Sequence, residues 1–236
     1  MAARRGGIGR FIARLVLLVT AIFVVYQAWL FAHVWWWVDH NPQRSALMDE
    51  RLDQLQAQHP DARLQHEWVP YGQISANLKR AVVAAEDARF LEHHGFDWNG
   101  IQFAAEKDLR RGHIVAGGST ISQQLAKNLL LSDQRTPWRK IEEAIITIMI
   151  EHMMSKRRIL EIYLNDIEWG NGIFGAQAAA SHYFHTSAAR LGPSEAARLA
   201  AMVPNPRYYD THRNSRELQR RTVTIGARMN QAAIPR

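Results

Sequence analysis

The sequence predicts a mainly α-helical protein, with one apolar helix near the N-terminus followed by a helical globular domain. Three observations predict it. No run of strictly alternating apolar and polar residues exceeds four positions, so strand signals are scarce. Residues 15–38 contain no Asp, Glu, Lys or Arg. From Gln73 onward apolar residues recur at helical spacing, punctuated by Gly, Pro, Ser and Thr. The chain has 236 residues, a formal net charge of +7 and no cysteine. That length supports one domain with a proper core plus an appendage. The missing cysteines exclude a disulfide scaffold and a thiolate zinc site. Arg is well ahead of Lys, and such a basic balance points to nucleic acid, anionic lipid or a phosphorylated substrate.

Residues 1–14 form a basic tail with Arg4, Arg5, Arg10 and Arg14. The uncharged segment 15–38 follows, and at about 1.5 Å per residue it can cross a hydrocarbon core of roughly 30 Å. Trp35, Trp36 and Trp37 close it. Positive charge before the span and an aromatic belt after it predict a cytoplasmic N-terminus, with the remainder outside. The apolar run is too long for a signal peptide and ends without a small-x-small cleavage site. Nucleic acid is then excluded as a partner, because the domain lies across the membrane from it. Residues 39–67 are polar and carry Pro42 and Pro60, so they read as a juxtamembrane linker with a short helix over 45–58. The domain proper is 68–236. Within it, helices are expected over 81–94, 101–109, 119–131, 138–154, 156–164, 176–184, 193–202 and 214–231. A basic loop with Arg110, Arg111 and His113 precedes Gly118, and a glycine-rich loop covers 170–175.

Three stretches could carry chemistry. Ala81 to Ala85 run straight into Glu86 and Asp87, and at helical spacing Glu86, Phe90 and His93 share one face that Gly95 would end. Burial raises a carboxylate's pKa, as a proton-transferring Glu requires. The residues alone leave this reading open beside that of an acidic surface patch. Next, Gly117 to Asn128 holds a T-x-x-Q capping box, Thr120 and Gln123, behind two glycines. With Lys127 stacked on Gln123 at i, i+4, this is a cradle for a diphosphate or an ordinary capped helix. It is not a Walker loop. Third, Glu143 sits among Ala144, Ile145 and Ile146 with Thr147 and Ile150 on its face, so it turns toward the core. Glu142 and Glu151 read as solvent-facing or structural. Asn165 reads as a helix-ending or core-bridging amide. His93–His94 and His182–His185 lack the geometry or third ligand of a zinc site.

Taken together, these residues resemble the peptidoglycan glycosyltransferases, glycosyltransferase family 51. The motif E-D-x-x-F-x-x-H-x-G is complete from Glu86 to Gly95, and G-x-S-T-x-x-Q-Q-L-x-K-N is complete through Asn128. R-K-x-x-E is Arg139, Lys140 and Glu143, and K-x-x-I-L-x-x-Y-L-N runs from Lys156 to Asn165. The resemblance covers about 68–210 and fits the monofunctional members, with no room for a transpeptidase domain. Thr186 and Thr211 depart from it in a loop.

The resemblance implies a lysozyme-like helical domain with a small membrane-abutting jaw, in the bacterial inner membrane. It implies lipid II and the growing glycan chain as substrates, with cell-division or elongation proteins as partners. Carried over, Glu86 is the general base and Glu143 sits by the diphosphate. Gln123, Lys127, Arg135, Arg139 and Lys140 hold the diphosphate, and Asp87, Ser119, Thr120 and Gln124 support them. A divalent cation, Mg²⁺ or Mn²⁺, is expected near Glu143, and no organic cofactor. The rivals are a lytic transglycosylase or muramidase, and a non-catalytic membrane-anchored scaffold.

Overall fold

The computed structural model describes residues 5–102, 118–132 and 136–236. The expected helix at 101–109 beyond residue 102, the basic loop after it and Arg135 lie outside the described residues. The chain divides into two units, 1–40 and 41–236. The first is one continuous helix, α1 (Arg5–Asp39), of which Gly9–Asp39 is long and apolar enough to cross a membrane.

The second unit is mainly helical. Its α-helices with both ends among the described residues are α2 (Ala46–Gln56), α3 (Ala76–Glu86), α4 (Ile121–Leu130), α5 (Pro137–Met153), α6 (Lys156–Asp166), α7 (Gly175–Phe184), α8 (Pro193–Met202), α9 (Pro206–Thr211) and α10 (Arg216–Arg228), and residues 98–102 are helical as well. Six of them begin as their sequences dictate. Ser45, Ser75, Thr120, Thr136, Ser155 and Ser215 each accept a backbone N–H of the first turn through the side-chain oxygen. Each such cap is worth about 1 kcal/mol. Helix α3 packs on α8 and α10, while α4 packs on α5, α6 and α2. Leu78, Val82, Phe90, Ile121, Leu125, Ile146 and Tyr163 are fully buried between these layers.

Helix α3 ends earlier than its sequence suggests. It stops at Glu86, and Asp87 adopts φ −160°. Residues 87–95 form turns instead, closed by Phe90 N–H to Asp87 O and Glu92 N–H to Arg89 O. The single helical face expected for Glu86, Phe90 and His93 is therefore not formed. Tertiary bonds of the Asp87 side chain, described below, outweigh local helix propensity. Gly95 still has a conformational role: its φ is +90°, and a Cβ there would lie 2.8 Å from Thr147 Cγ2 of α5.

The glycine-rich stretch after α6 is likewise not a plain loop. Strands β1 (Gln65–His66), β2 (Glu168–Gly170) and β3 (Ile173–Phe174) form a sheet in the order β1-β3-β2. Strand β1 runs parallel to β3 (Gln65 opposite Ile173), and β2 runs antiparallel to it. Strands of two or three residues are too short to show alternation. The expected linker 39–67 is also built into the unit. Met48 and Arg51 of α2 are buried, and β1 joins the sheet. Its polar composition hid this, because the inward residue is an arginine.

Arg51 Nε donates to Glu168 Oε2 at 3.0 Å, with both side chains under 10 % exposed. Arg51→Met leaves Glu168 buried without its cation and is expected to lower unfolding free energy by about 3 kcal/mol. Replacing both (Arg51→Met with Glu168→Gln) should recover part of the loss. Urea denaturation of the full chain in detergent checks both.

Candidate active site

Glu86 is the last residue of α3, held there by the packing of Leu78, Ala81, Val82 and Val83 beneath it. Its carboxylate is partly exposed to a cavity of about 200 Å³ that also touches Asp87, Ser119 and Thr120. On the protein side, Gln124 Nε2 donates to Glu86 Oε2 at 2.9 Å. Gln124 Oε1 in turn accepts the hydroxyl of Tyr163 at 2.8 Å. A phenol that donates fixes which end of the amide is oxygen, so the Gln124 N–H is aimed at Glu86. Burial, followed by the negative charges of Glu86, Asp87 and Asp166, raises the Tyr163 pKa well above its ordinary value. Tyr163 therefore stays protonated and remains a donor.

Burial pushes the Glu86 pKa above the ordinary carboxylate range, and Asp87 adds to the shift. The Gln124 hydrogen bond and the charge of Arg221 oppose it. The C-terminal end of a helix is also a poor place for an anion. The result is a carboxylate poised to take a proton and aimed by a neutral donor chain.

Asp87 is buried and does not line up as a second base. Its Oδ2 accepts the Ile121 N–H at 3.0 Å, and its Oδ1 lies 2.9 Å from His93 Nε2. It thereby joins the end of α3 to the first turn of α4. Thr120 caps that turn and donates its hydroxyl to Gly95 O at 2.6 Å. Gln123 completes the capping box, its Oε1 accepting the Thr120 N–H at 3.1 Å. That oxygen serves the helix start, so Gln123 acts here on the local backbone.

Lys127, one turn further along α4, borders a second cavity of about 310 Å³ with Gln124, Asn128, Asn205 and Arg207. Gln124 thus lines the Lys127 cavity while its side chain reaches Glu86, which borders the other. Asp166 lies buried beside Lys127, and desolvation pushes its pKa up to about 7 against the hydrogen bonds of Ser45 and Asn128 and the Lys127 charge. Among the described residues Lys127 makes no ion pair.

Glu143 is 3 % exposed on α5, as its apolar neighbours predict. Arg139 Nη1 donates to its Oε2 at 3.2 Å, and Lys140 Nζ donates to its Oε1. Two of the residues expected to grip an anion, Arg139 and Lys140, therefore form a cluster of net positive charge around a single carboxylate. Thr147 donates to Glu143 O, and its methyl group packs against Gly95. The Gly95 turn thus links the Glu143 helix to the start of α4. A divalent cation fits this donor set poorly, since both Glu143 oxygens already accept from cations. Among the described residues no group of three or more His, Cys, Asp or Glu could hold a metal.

The structure therefore joins Glu86, Asp87, Ser119, Thr120 and Gln124 into one constellation, with Lys127 beside it, and Arg139, Lys140 and Glu143 into another. Glu151 is structural, accepting from Ser122 and Lys156. Asn165 bridges Val69 through both its N–H and C=O. Tyr163 and Asp166 were missed as site residues. The tyrosine was visible only as the aromatic position of Y-L-N, and nothing in the sequence signals that Asp166 is buried.

The family model for transglycosylases matches residues 52–230. Proteins named biosynthetic peptidoglycan transglycosylase are similar to the chain over nearly all their length. The one from Methylobacillus flagellatus is 64 % identical over 93 % of the chain and 96 % of its own. Those from Laribacter hongkongensis and Chromobacterium violaceum are 61 % and 58 % identical, each over 96 % of the chain and 99 % of their own. The matched span contains the whole arrangement from Glu86 to Asp166, and the chain belongs to the transglycosylase family.

Proposed function

We propose that the chain is a peptidoglycan glycosyltransferase that polymerises lipid II into glycan strands, with Glu86 as the general base. The observation that carries this reading is the Glu86 carboxylate, raised in pKa and aimed by Gln124 into a cavity beside a cation-lined one. Its relatives bear names of that activity.

In this reading Glu86 takes the proton of the 4-hydroxyl on the incoming sugar. The freed oxygen pair forms a bond to the anomeric carbon of the growing chain. The bond from that carbon to the diphosphate breaks, and the electron pair leaves with undecaprenyl diphosphate. Direct displacement inverts the anomeric centre. Lys127 and the Arg139–Lys140 pair stabilise the developing charge on the leaving group, the largest electrostatic demand of the step. Glu143 orients those two cations. No step is routed through Mg²⁺ or Mn²⁺.

The N-terminal helix would anchor the enzyme in the inner membrane with its N-terminus cytoplasmic, following the positive-inside rule. An undecaprenyl tail keeps substrate in the same bilayer, so enzyme and donor share a two-dimensional pool. A peptidoglycan substrate outside the cytoplasm agrees with this orientation.

Glu86→Gln keeps the shape and the Gln124 contact but removes the base. It is expected to cut lipid II polymerisation by about a thousandfold with no loss of melting temperature. Gel analysis of labelled glycan strands and a thermal melt check this. Substantial turnover by the folded variant overturns the base assignment. Release of soluble fragments from finished peptidoglycan by the wild type, without polymerisation, overturns the reaction.

The base works only when ionised, so activity should fall as pH drops through a value above that of an ordinary Glu. Tyr163→Phe withdraws the donor that fixes Gln124, and Gln124 opposes the upward shift at Glu86. The acid limb of the pH–rate profile should therefore move to higher pH. kcat at neutral pH should fall by about tenfold, equivalent to ~1.4 kcal/mol at the barrier. An unmoved limb would make Tyr163 a packing residue only.

A further inference from the structure

Helix α10 carries Arg220, Arg221 and Arg228 on the face it turns to α3, at i, i+1 and i+8. Between the two helices lies a cavity of about 400 Å³. Ala84 and Ala85 wall it on the α3 side, and their small side chains leave the space open. These alanines immediately precede Glu86, so the cavity starts one residue from the base. Arg221 is anchored by its Nε, which donates to Ala201 O at 3.3 Å, and its charge is felt at Glu86. Glu217 stands at the same wall, hydrogen-bonded to the Tyr209 hydroxyl. Among the described residues Arg220, Arg221 and Arg228 make no ion pair.

Arg220, Arg221 and Arg228 outnumber Glu217 on the walls of this cavity, so its lining is net positive, and their planar forks match carboxylate oxygens bidentately. The mechanism above makes no use of them, since its cations for the diphosphate lie on α4 and α5. A lipid-linked sugar bearing a pentapeptide brings a second kind of anion, the peptide's carboxylates. Thr224 and Ile225 add a hydroxyl and an apolar surface to the same wall, as a peptide requires.

We propose that the cavity between α3 and α10 is a subsite for the carboxylate-bearing peptide of the disaccharide whose hydroxyl is at Glu86. This rests on the polymerase reading and adds to it how the acceptor is held. The arginines bind and orient; they take no part in bond making.

The test uses the full chain in detergent with two substrates: lipid II, and lipid II with its peptide carboxylates converted to amides and its diphosphate intact. For the wild type, amidation should raise KM by about fivefold, the scale of a solvent-exposed ion pair. The double variant Arg220→Gln/Arg228→Gln should show that raised KM with ordinary lipid II, and amidation should add nothing further. Lysine at both positions should recover most of the affinity, and thermal melts should be unchanged.

Wild-type indifference to amidation overturns the subsite. So do independent, multiplying effects of amidation and charge removal. A variant that loses affinity for both substrates alike assigns the cavity to the diphosphate. A variant that loses only binding to vesicles rich in phosphatidylglycerol assigns it to the lipid surface. Either result overturns the proposal. A wild type that polymerises neither substrate refutes the polymerase reading instead. Calorimetry with the soluble pentapeptide, as acid and as amide, then still decides the subsite, with binding of the acid alone as the supporting result.

Discussion

The arrangement around Glu86 depends on one buried carboxylate, that of Asp87. Its two oxygens reach the backbone N–H of Ile121 and the ring of His93. Those contacts end α3 at Glu86, start α4 beside it, and draw the 87–95 turns into the core on Phe90. An anion at a helix N-terminus is favoured by the unpaired N–H groups and the dipole there. Without that attachment, the end of α3 would lose its tie to the start of α4, and with it part of what sets Glu86 against Gln124. The Gly95 turn adds a second tie, since Thr120 donates to its carbonyl while Thr147 presses on its Cα.

Much of this was legible in the sequence. The helical class, the apolar N-terminal segment and the start of α4 at its T-x-x-Q capping box followed from periodicity and capping, whereas α3 starts five residues before the expected position 81 and α9 was not expected. The inward turn of Glu143 followed from Ile146, Thr147 and Ile150. What could not be read were effects that act across the chain. Helix α3 was expected to continue to His94, because local propensity holds no information about a bond from Asp87 to Ile121. The small sheet was hidden, since β3 has two residues and depends on β1, which lies more than a hundred positions earlier. Residues 39–67 read as linker because their inward anchor, Arg51, is charged, and its partner Glu168 is equally remote. Burial of Asp166 left no mark at all.

The charges around the site are divided by role. Arg139 and Lys140 crowd one buried carboxylate, Lys127 sits next to an acid that desolvation half-neutralises, and the α10 arginines face small alanines. The cations are thus distributed over three helices, α4, α5 and α10. The basic composition thus has several sources, the N-terminal tail with Arg4, Arg5, Arg10 and Arg14 among them. It matches a substrate whose negative charges are spread along its length.

Among the described residues one oxygen of the Glu86 carboxylate, Oε2, accepts a hydrogen bond, from Gln124, and the residue lines the cavity from which the reaction would deliver a proton. Under the proposed reading, every sugar joined leaves one proton on the enzyme. The carboxyl must shed it to water before it can act again. The space of about 200 Å³ in front of it is also where the next acceptor hydroxyl has to enter. Deprotonation and substrate entry therefore share one doorway.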